Sequence, residues 1–226
     1  MNLKNKKVVI TGGTDGLGLA LAKELITSRA KVVVLGKDKK KLDKVGSELK
    51  VQTYLADVRD FRQLEKAAEA TGKADILINN AGVWLEGPIT ENTPEEITKV
   101  IEVNLRGVIY STKAFLPLLK KATEAHIINV VSTAGLTGRE NFSVYSATKF
   151  GVAGFSEALE ADLKTTNVKV SAFFQGGMQT KMYDKVGKPK EMSKWMRVDK
   201  VARVVVFMLE QDATMVLDHV VLSRGK

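Results

Sequence analysis

Lys7-Val8-Val9-Ile10-Thr11-Gly12-Gly13-Thr14-Asp15-Gly16-Leu17-Gly18 runs from a β-rich segment through a glycine-rich turn into a helical pattern. Apolar residues at Leu17, Leu21, Leu25 and Ile26 give that pattern the spacing of one helix face. Strand, glycine turn, helix is the context that makes a glycine pattern a phosphate site. Glycines let the backbone approach a pyrophosphate closely. The helix N-terminus adds free N–H groups and the positive end of a dipole. Gly12, Thr14, Asp15, Gly16, Leu17 and Gly18 are the candidates for such a cradle. The same glycines would also suit a turn that exists only for packing.

A second strand, Lys31–Gly36, leads into Lys37 and Asp38. A carboxylate after this strand accepts the ribose hydroxyls of NAD, whereas a basic group accommodates the extra phosphate of NADP. Five lysines lie from Lys37 to Lys44, which favours NADP(H), with Lys37 as the phosphate partner. Asp38 is a rival, because it lies about 20 residues beyond the last glycine, where an acidic ribose ligand is often found. NAD(H) is therefore the alternative. The lysines also suit the solvated start of a helix over Lys39–Leu49.

The third strand, Val51–Ala56, ends at Asp57-Val58, a polar and an apolar residue placed to flank an adenine ring. Asp57 equally suits the N-cap of a helix over Phe61–Ala70. The fourth strand, Ala74–Ile78, closes in Asn79-Asn80-Ala81-Gly82, small and amide residues that permit close approach and backbone ordering, or simply a turn. Pro94–Leu119 reads as one or two long helices, with Thr93 as N-cap and Pro94 at the first helical position. Pro117 is expected to kink or limit the end. Asn104 stands in an apolar run and needs a partner or a water. The fifth strand, His126–Val131, ends in Ser132-Thr133-Ala134-Gly135. A strand near Val168–Phe174, a helix near Lys200–Glu210 and a strand near Val216–Leu222 complete the chain. This alternation predicts an α/β fold: one domain over residues 1–226, with a doubly wound parallel sheet of Rossmann type and helices on both faces. Ligands bind such sheets beyond the carboxyl ends of the strands. Every motif named here falls at a strand's carboxyl end or on the helix after it.

Tyr145-Ser146-Ala147-Thr148-Lys149 begins a helical run that continues through Phe155 to Leu163. Residues four apart share a helix face, so the phenol and the ammonium point into one space. A phenol ionises near pH 10. A nearby cation favours the phenolate, and that makes acid–base work at neutral pH possible. The pair taken alone also fits an ordinary solvated helix face.

The 226 residues include no cysteine, which excludes disulfides, thiolate metal sites and cysteine nucleophiles. The first residues lack the apolar core of a signal peptide, and no apolar segment is long enough to span a bilayer. A cytoplasmic protein without membrane partners is expected. The net charge is +9, but the lysines are scattered and lack the interleaved aromatics of a nucleic-acid groove. No nucleic-acid partner is expected. His126 and His219 read as strand-edge or surface residues, and no metal site is expected.

In this order the motifs resemble the short-chain dehydrogenase/reductase family, from about Lys7 to Thr180. The resemblance matches Ser132, Tyr145 and Lys149 to the catalytic triplet and Asn104 to the asparagine that completes the tetrad. It implies hydride exchange between NADP(H) and a small carbonyl or secondary alcohol. Tyr145 would pass the proton, Ser132 would orient the substrate oxygen, and Lys149 would lower the phenol's pKa and hold the nicotinamide ribose. Asn104 would hold a water that connects Lys149 to solvent. Asn80, Ala81 and Gly82 fall in the motif after the fourth strand; Gly176, Met178 and Thr180 fall near the nicotinamide. Gly36 stands where NAD-selecting members carry Asp, and Lys37 where NADP-preferring members carry Arg. Two departures stand out: Asp15, where many NADP-preferring members are basic, and Gln175-Gly176 in place of Pro-Gly. Residues 181–197 should form a mobile substrate cover, with Met182, Tyr183, Met192, Trp195 and Met196 lining an apolar pocket or anchoring the cover. Trp84 and Leu85, after Gly82, are expected to add to the pocket wall. A homodimer or homotetramer packed through the helices near Glu95–Leu119 and Phe150–Leu163 is implied. A non-catalytic redox sensor or scaffold of the same fold is the alternative, against which the complete tetrad argues.

Overall fold

The computed structural model describes residues 1–184, 191–212 and 214–225. Seven parallel strands form one sheet: β1 Lys7–Thr11, β2 Lys31–Gly36, β3 Gln52–Leu55, β4 Ile76–Asn79, β5 Ala125–Val130, β6 Val168–Gln175 and β7 His219–Leu222. Their order across the sheet is β3-β2-β1-β4-β5-β6-β7. The chain reverses direction of travel between β1 and β4, and a crevice opens there at the carboxyl ends.

The helices are α1 Gly16–Thr27, α2 Lys39–Leu49, α3 Phe61–Thr71, α4 Pro94–Ile101, α5 Gly107–Leu119, α6 Ser143–Leu163 and α7 Val198–Leu209. Alternation along β1 sorts them into two layers. Val8 and Ile10 pack with Leu21 of α1, Leu42 of α2 and Val205 of α7. Val9 points the other way, into a core with Leu64 of α3, Phe115 of α5 and Leu159 of α6. Both faces of the sheet are covered, so the strands carry apolar residues at nearly every position.

Local caps fix the helix starts. Asp38 accepts from Lys41 N at 3.1 Å at the start of α2. Asp60, rather than Asp57, caps α3, accepting from Arg62 N and Gln63 N. Thr93 and Glu96 form a reciprocal capping box at α4, an arrangement that typically contributes about 1 kcal/mol. Between α4 and α5 the chain passes through a π-helical segment, Glu102–Arg106. The expected long helix is thus one continuous path with a widened turn at Asn104. Pro117 lies inside α5, which ends two residues later.

His126 is not at an edge or on the surface. It lies in β5, between β4 and β6, and is only 2% exposed. Its Nε2 is 2.8 Å from Ser171 Oγ. Burial first, then the charges of Lys169 and the N-terminus, pushes its pKa down to about 3. His219 lies on β7, at the edge of the sheet. Among the described residues no helix is long and apolar enough to cross a membrane.

The buried imidazole has a consequence for acid stability. The folded protein keeps the ring neutral, while the unfolded chain takes up a proton near pH 6.5. Stability is therefore lost as pH falls from 6.5 toward about 3, by on the order of 5 kcal/mol in all. Denaturant titrations of His126→Gln should show a shallower acid limb than the parent over that window. Superimposable limbs would contradict the assignment.

Candidate active site

The turn after β1 and the end of β4 are locked together. Thr11 Oγ1 accepts from Asn80 N at 3.0 Å and Ala81 N at 3.1 Å. The Asn80 amide donates back to Thr11 O at 3.0 Å and Gly12 O at 3.2 Å. A Cβ on Gly18 would fall 2.4 Å from Gly12 O and 2.5 Å from Asn80 Nδ2. Gly12 itself sits at φ 65° with Ala81 Cα 2.9 Å from where its Cβ would be. Glycine at 12 and 18 is thus what lets α1 start directly beneath the crevice. Asp15 caps α1, accepting from Gly16 N at 2.8 Å, and its carboxylate also meets Lys41 Nζ at 3.4 Å.

One cavity of about 690 Å³ follows these carboxyl ends. It is lined by Gly12, Thr14, Asp15, Gly16, Leu17, Lys37, Asp57, Val58, Asn80, Ala81 and Gly82 at one end. Ser132, Tyr145, Lys149, Gly176, Met178 and Thr180 line the other. Of the residues expected from sequence, Gly18 and Asn104 do not line it, nor do Met192 and Met196 of the expected cover. Gly18 lies behind the turn as a spacer. Asn104 is fully buried in the π-helical segment. Its amide is committed to the backbone of Val83, accepting from Val83 N at 2.8 Å and donating to Val83 O at 2.9 Å. That side chain positions the stretch after Gly82 and does not line the cavity.

At the β2 and β3 end, Lys37 is exposed and joined by Lys41. Sequence spacing singled out Lys37 alone; Lys41 comes into the cavity because it lies one turn along α2. Asp57 is gripped by Arg59, whose Nη2 donates at 2.8 Å. Burial pushes the Asp57 carboxyl up, but hydrogen bonds from Arg59 and the charges of Arg59 and Lys37 together hold it below its usual range.

At the other end, Tyr145 and Lys149 lie one turn apart on α6, and both are buried. Lys149 Nζ donates to Val130 O at 3.1 Å and stands 5.8 Å from the centre of the Tyr145 ring. Burial pulls the Lys149 pKa down to about 8. Burial, then the Tyr183 phenol, pushes Tyr145 well above its ordinary value, and a hydrogen bond with Ser132 only partly opposes this. In the protein alone burial is the largest cause acting on the phenol. Ser132 Oγ accepts from Ala134 N at 3.2 Å, and its hydroxyl also bonds the Tyr145 phenol. Trp84 lies against Tyr145, with ring centres 4.5 Å apart.

Of the expected cover, residues 185–190 lie outside the described residues. Residues on either side of them are tied to the turn after β6: Gln179 N donates to Met196 O at 2.9 Å, and the Gln179 amide to Met192 O at 3.1 Å. Met182, Tyr183, Met192 and Trp195 pack with Trp84, Phe142 and Tyr145 in one apolar cluster. Arg139, Phe142 and Arg224 also line the cavity and escaped the sequence reading. They come from loops and the tail, where periodicity gives no signal.

The family model for short chain dehydrogenase matches residues 6–191. The chain belongs to that family of oxidoreductases. An uncharacterized oxidoreductase of Staphylococcus epidermidis is 30% identical over 226 residues, 97% of each chain. A short chain dehydrogenase from Burkholderia cenocepacia, solved in complex with NADP, superposes with a TM-score of 0.86 at 28% identity, covering 100% of this chain and 90% of that one. A 3-ketoacyl-(acyl-carrier-protein) reductase from Brucella melitensis, solved with NADH, gives 0.87 at 29% identity, covering 98% and 97%.

The contact at Gly18 can be tested against a glycine on α6 that faces open space. Gly18→Ala should lose about 1–3 kcal/mol of stability, because the Gly12 carbonyl and the Asn80 amide hydrogen-bonded to it block the new Cβ. Gly154→Ala, with nothing within 4 Å, should gain up to about 1 kcal/mol from helix propensity. Thermal unfolding of both variants reads the difference. Equal shifts would contradict the close packing at Gly18.

Proposed function

We propose that the protein reduces a small carbonyl compound, or oxidises the matching alcohol, with NADP(H). The observation that supports this most is that Ser132, Tyr145 and Lys149 share one cavity with the glycine turn. The turn fits a dinucleotide: Gly12 and Gly16 adopt φ 65° and φ 51°, and a Cβ added at Gly16 would project toward Thr180, 3.5 Å away. Gly12, Thr14, Gly16 and Leu17 would hold the pyrophosphate at the N-terminus of α1, with Asn80, Ala81 and Gly82 alongside. Asp15 stays on Gly16 N and Lys41, which draws its charge away from the phosphates. Lys37 and Lys41 favour the extra phosphate of NADP, and Asp38, engaged as a helix cap, competes less as a ribose ligand. Asp57 and Val58 would border the adenine. Gly176, Met178 and Thr180 would border the nicotinamide.

The dinucleotide, when bound, supplies or accepts the hydride. Ser132 donates its hydroxyl proton to the substrate oxygen and aligns it. Tyr145 gives its phenolic proton to that oxygen in reduction and takes one back in oxidation. Lys149, charged below about pH 8, holds the ribose hydroxyls and steadies the phenolate while it exists. Trp84 and the apolar cluster around it exclude water from the reacting carbon. A cytoplasmic setting, where nicotinamide dinucleotides circulate, belongs to this reading, as does self-association. An apolar groove of about 510 Å³ between α4 and α6 is lined by Ile97, Ile101, Leu105 and Val144, next to exposed Phe150. A second copy of the chain would cover this face.

NADPH oxidation measured against ketones and aldehydes tests the assignment. Tyr145→Phe should lower turnover by about 100-fold or more while NADPH still binds, as read by its fluorescence. Lys37→Ala should raise the KM for NADPH more than that for NADH. Near-normal turnover in the tyrosine variant would remove Tyr145 from the reaction.

A further inference from the structure

Beyond Tyr145 the cavity is walled by aromatic rings. Trp84 meets Tyr183 with centres 4.9 Å apart, and Tyr183 meets Trp195 edge-on at 5.1 Å. Two guanidinium groups border this wall. Arg139 comes from the loop between β5 and α6, and Arg224 from the tail beyond β7; both line the cavity. The Arg224 guanidinium carbon stands 5.0 Å from the centre of the Trp195 ring. Arg139 donates to Thr133 Oγ1 at 3.3 Å. Among the described residues neither guanidinium is paired with a carboxylate.

The tail is held so that Arg224 reaches this place. Gly176 N donates to Leu222 O at 2.8 Å. A Cβ on Gly177 would fall 2.8 Å from the Trp195 ring, so the bare backbone at 177 makes room for the indole. The indole in turn gives the guanidinium a face to stack on. A stacked guanidinium keeps its donors in one plane, the arrangement that suits a planar carboxylate.

On the reading of the cavity as a carbonyl-reducing site, we propose that its substrate is a monoanionic oxo acid (or the matching hydroxy acid). Its carboxylate would be held by Arg139 and Arg224, and its apolar body would lie against Trp84 and Tyr183. The charges acting on Tyr183 are Glu86 on one side and Arg224 and Arg139 on the other. Burial first, then Glu86, pushes Tyr183 up to about 12. Its hydroxyl stays protonated and can donate a further hydrogen bond. In reduction the carbonyl carbon gains hydride from NADPH and its oxygen gains the proton of Tyr145. The products are the hydroxy acid and NADP⁺, and the carboxylate is unchanged.

Phenylglyoxylate and its methyl ester share a carbonyl and a ring and differ by one negative charge. The ratio of their kcat/KM values isolates that charge. In Arg139→Ala and Arg224→Ala the acid-to-ester ratio should fall about tenfold, through KM for the acid; the lysine variants should recover part of it. Quenching of Trp84 and Trp195 fluorescence, in NADP⁺-saturated protein, reads binding without turnover. Acid binding that exceeds ester binding and weakens in either alanine variant supports the carboxylate site, even if no carbonyl is reduced; in that case the hydride reading fails alone. An unchanged ratio in both variants, or a phosphonate analogue that binds better than the acid, overturns the proposal and leaves the hydride reading intact.

Discussion

Lys149 gives up its water when α6 packs on β5, and the Val130 carbonyl returns one of the three hydrogen bonds an ammonium can make. The loss moves its pKa down to about 8. The Tyr145 phenol, one turn back, is buried with it and shifts the opposite way. Both shifts favour the neutral forms, because desolvation penalises charge whatever its sign. Burial is the first cause of both shifts. Groups brought into the cavity therefore meet a phenol that still holds its proton, the form needed to protonate a carbonyl oxygen.

The rest of the cleft keeps this pair in place. Lys149 is fixed from β5 and Ser132 from the turn that follows it. The β4 end is fixed to β1 through Thr11, Asn80 and the bare backbone at Gly12 and Gly18. Beneath it, Asn79 donates to Thr112 Oγ1 and Asn129 Oδ1, and Asn129 donates to Ser156 Oγ. This buried relay ties β4 and β5 to α5 and α6. Asn104 extends the same scheme by gripping Val83, so the widened helical turn around it sets where Trp84 meets the phenol.

Much of this was legible in the chain. The bounds of β2 and α2 follow directly from the apolar run Lys31–Gly36 and the lysine-rich amphipathic segment after Asp38. The glycine turn and the Tyr145–Lys149 interval were readable because backbone approach and helix periodicity leave local traces. What stayed hidden depends on distant packing. A histidine in a strand looks the same whether the strand is central or at an edge, so the burial of His126 was missed. Asn104 announced its need for a partner but not that Val83 would meet it. Arg139 and Arg224 carry no periodic signal, and only the folded tail brings Arg224 beside Trp195.

The ionisation of Tyr145 in the protein alone tests the account most directly. The chain has four tyrosines, so the ultraviolet tyrosinate spectrum of Tyr145→Phe, subtracted from that of the parent, isolates this one. The account predicts no difference signal as pH is raised through the ordinary phenol value of about 10. A tyrosinate signal from Tyr145 that develops at or below that pH would mean the ammonium outweighs burial, and would contradict it.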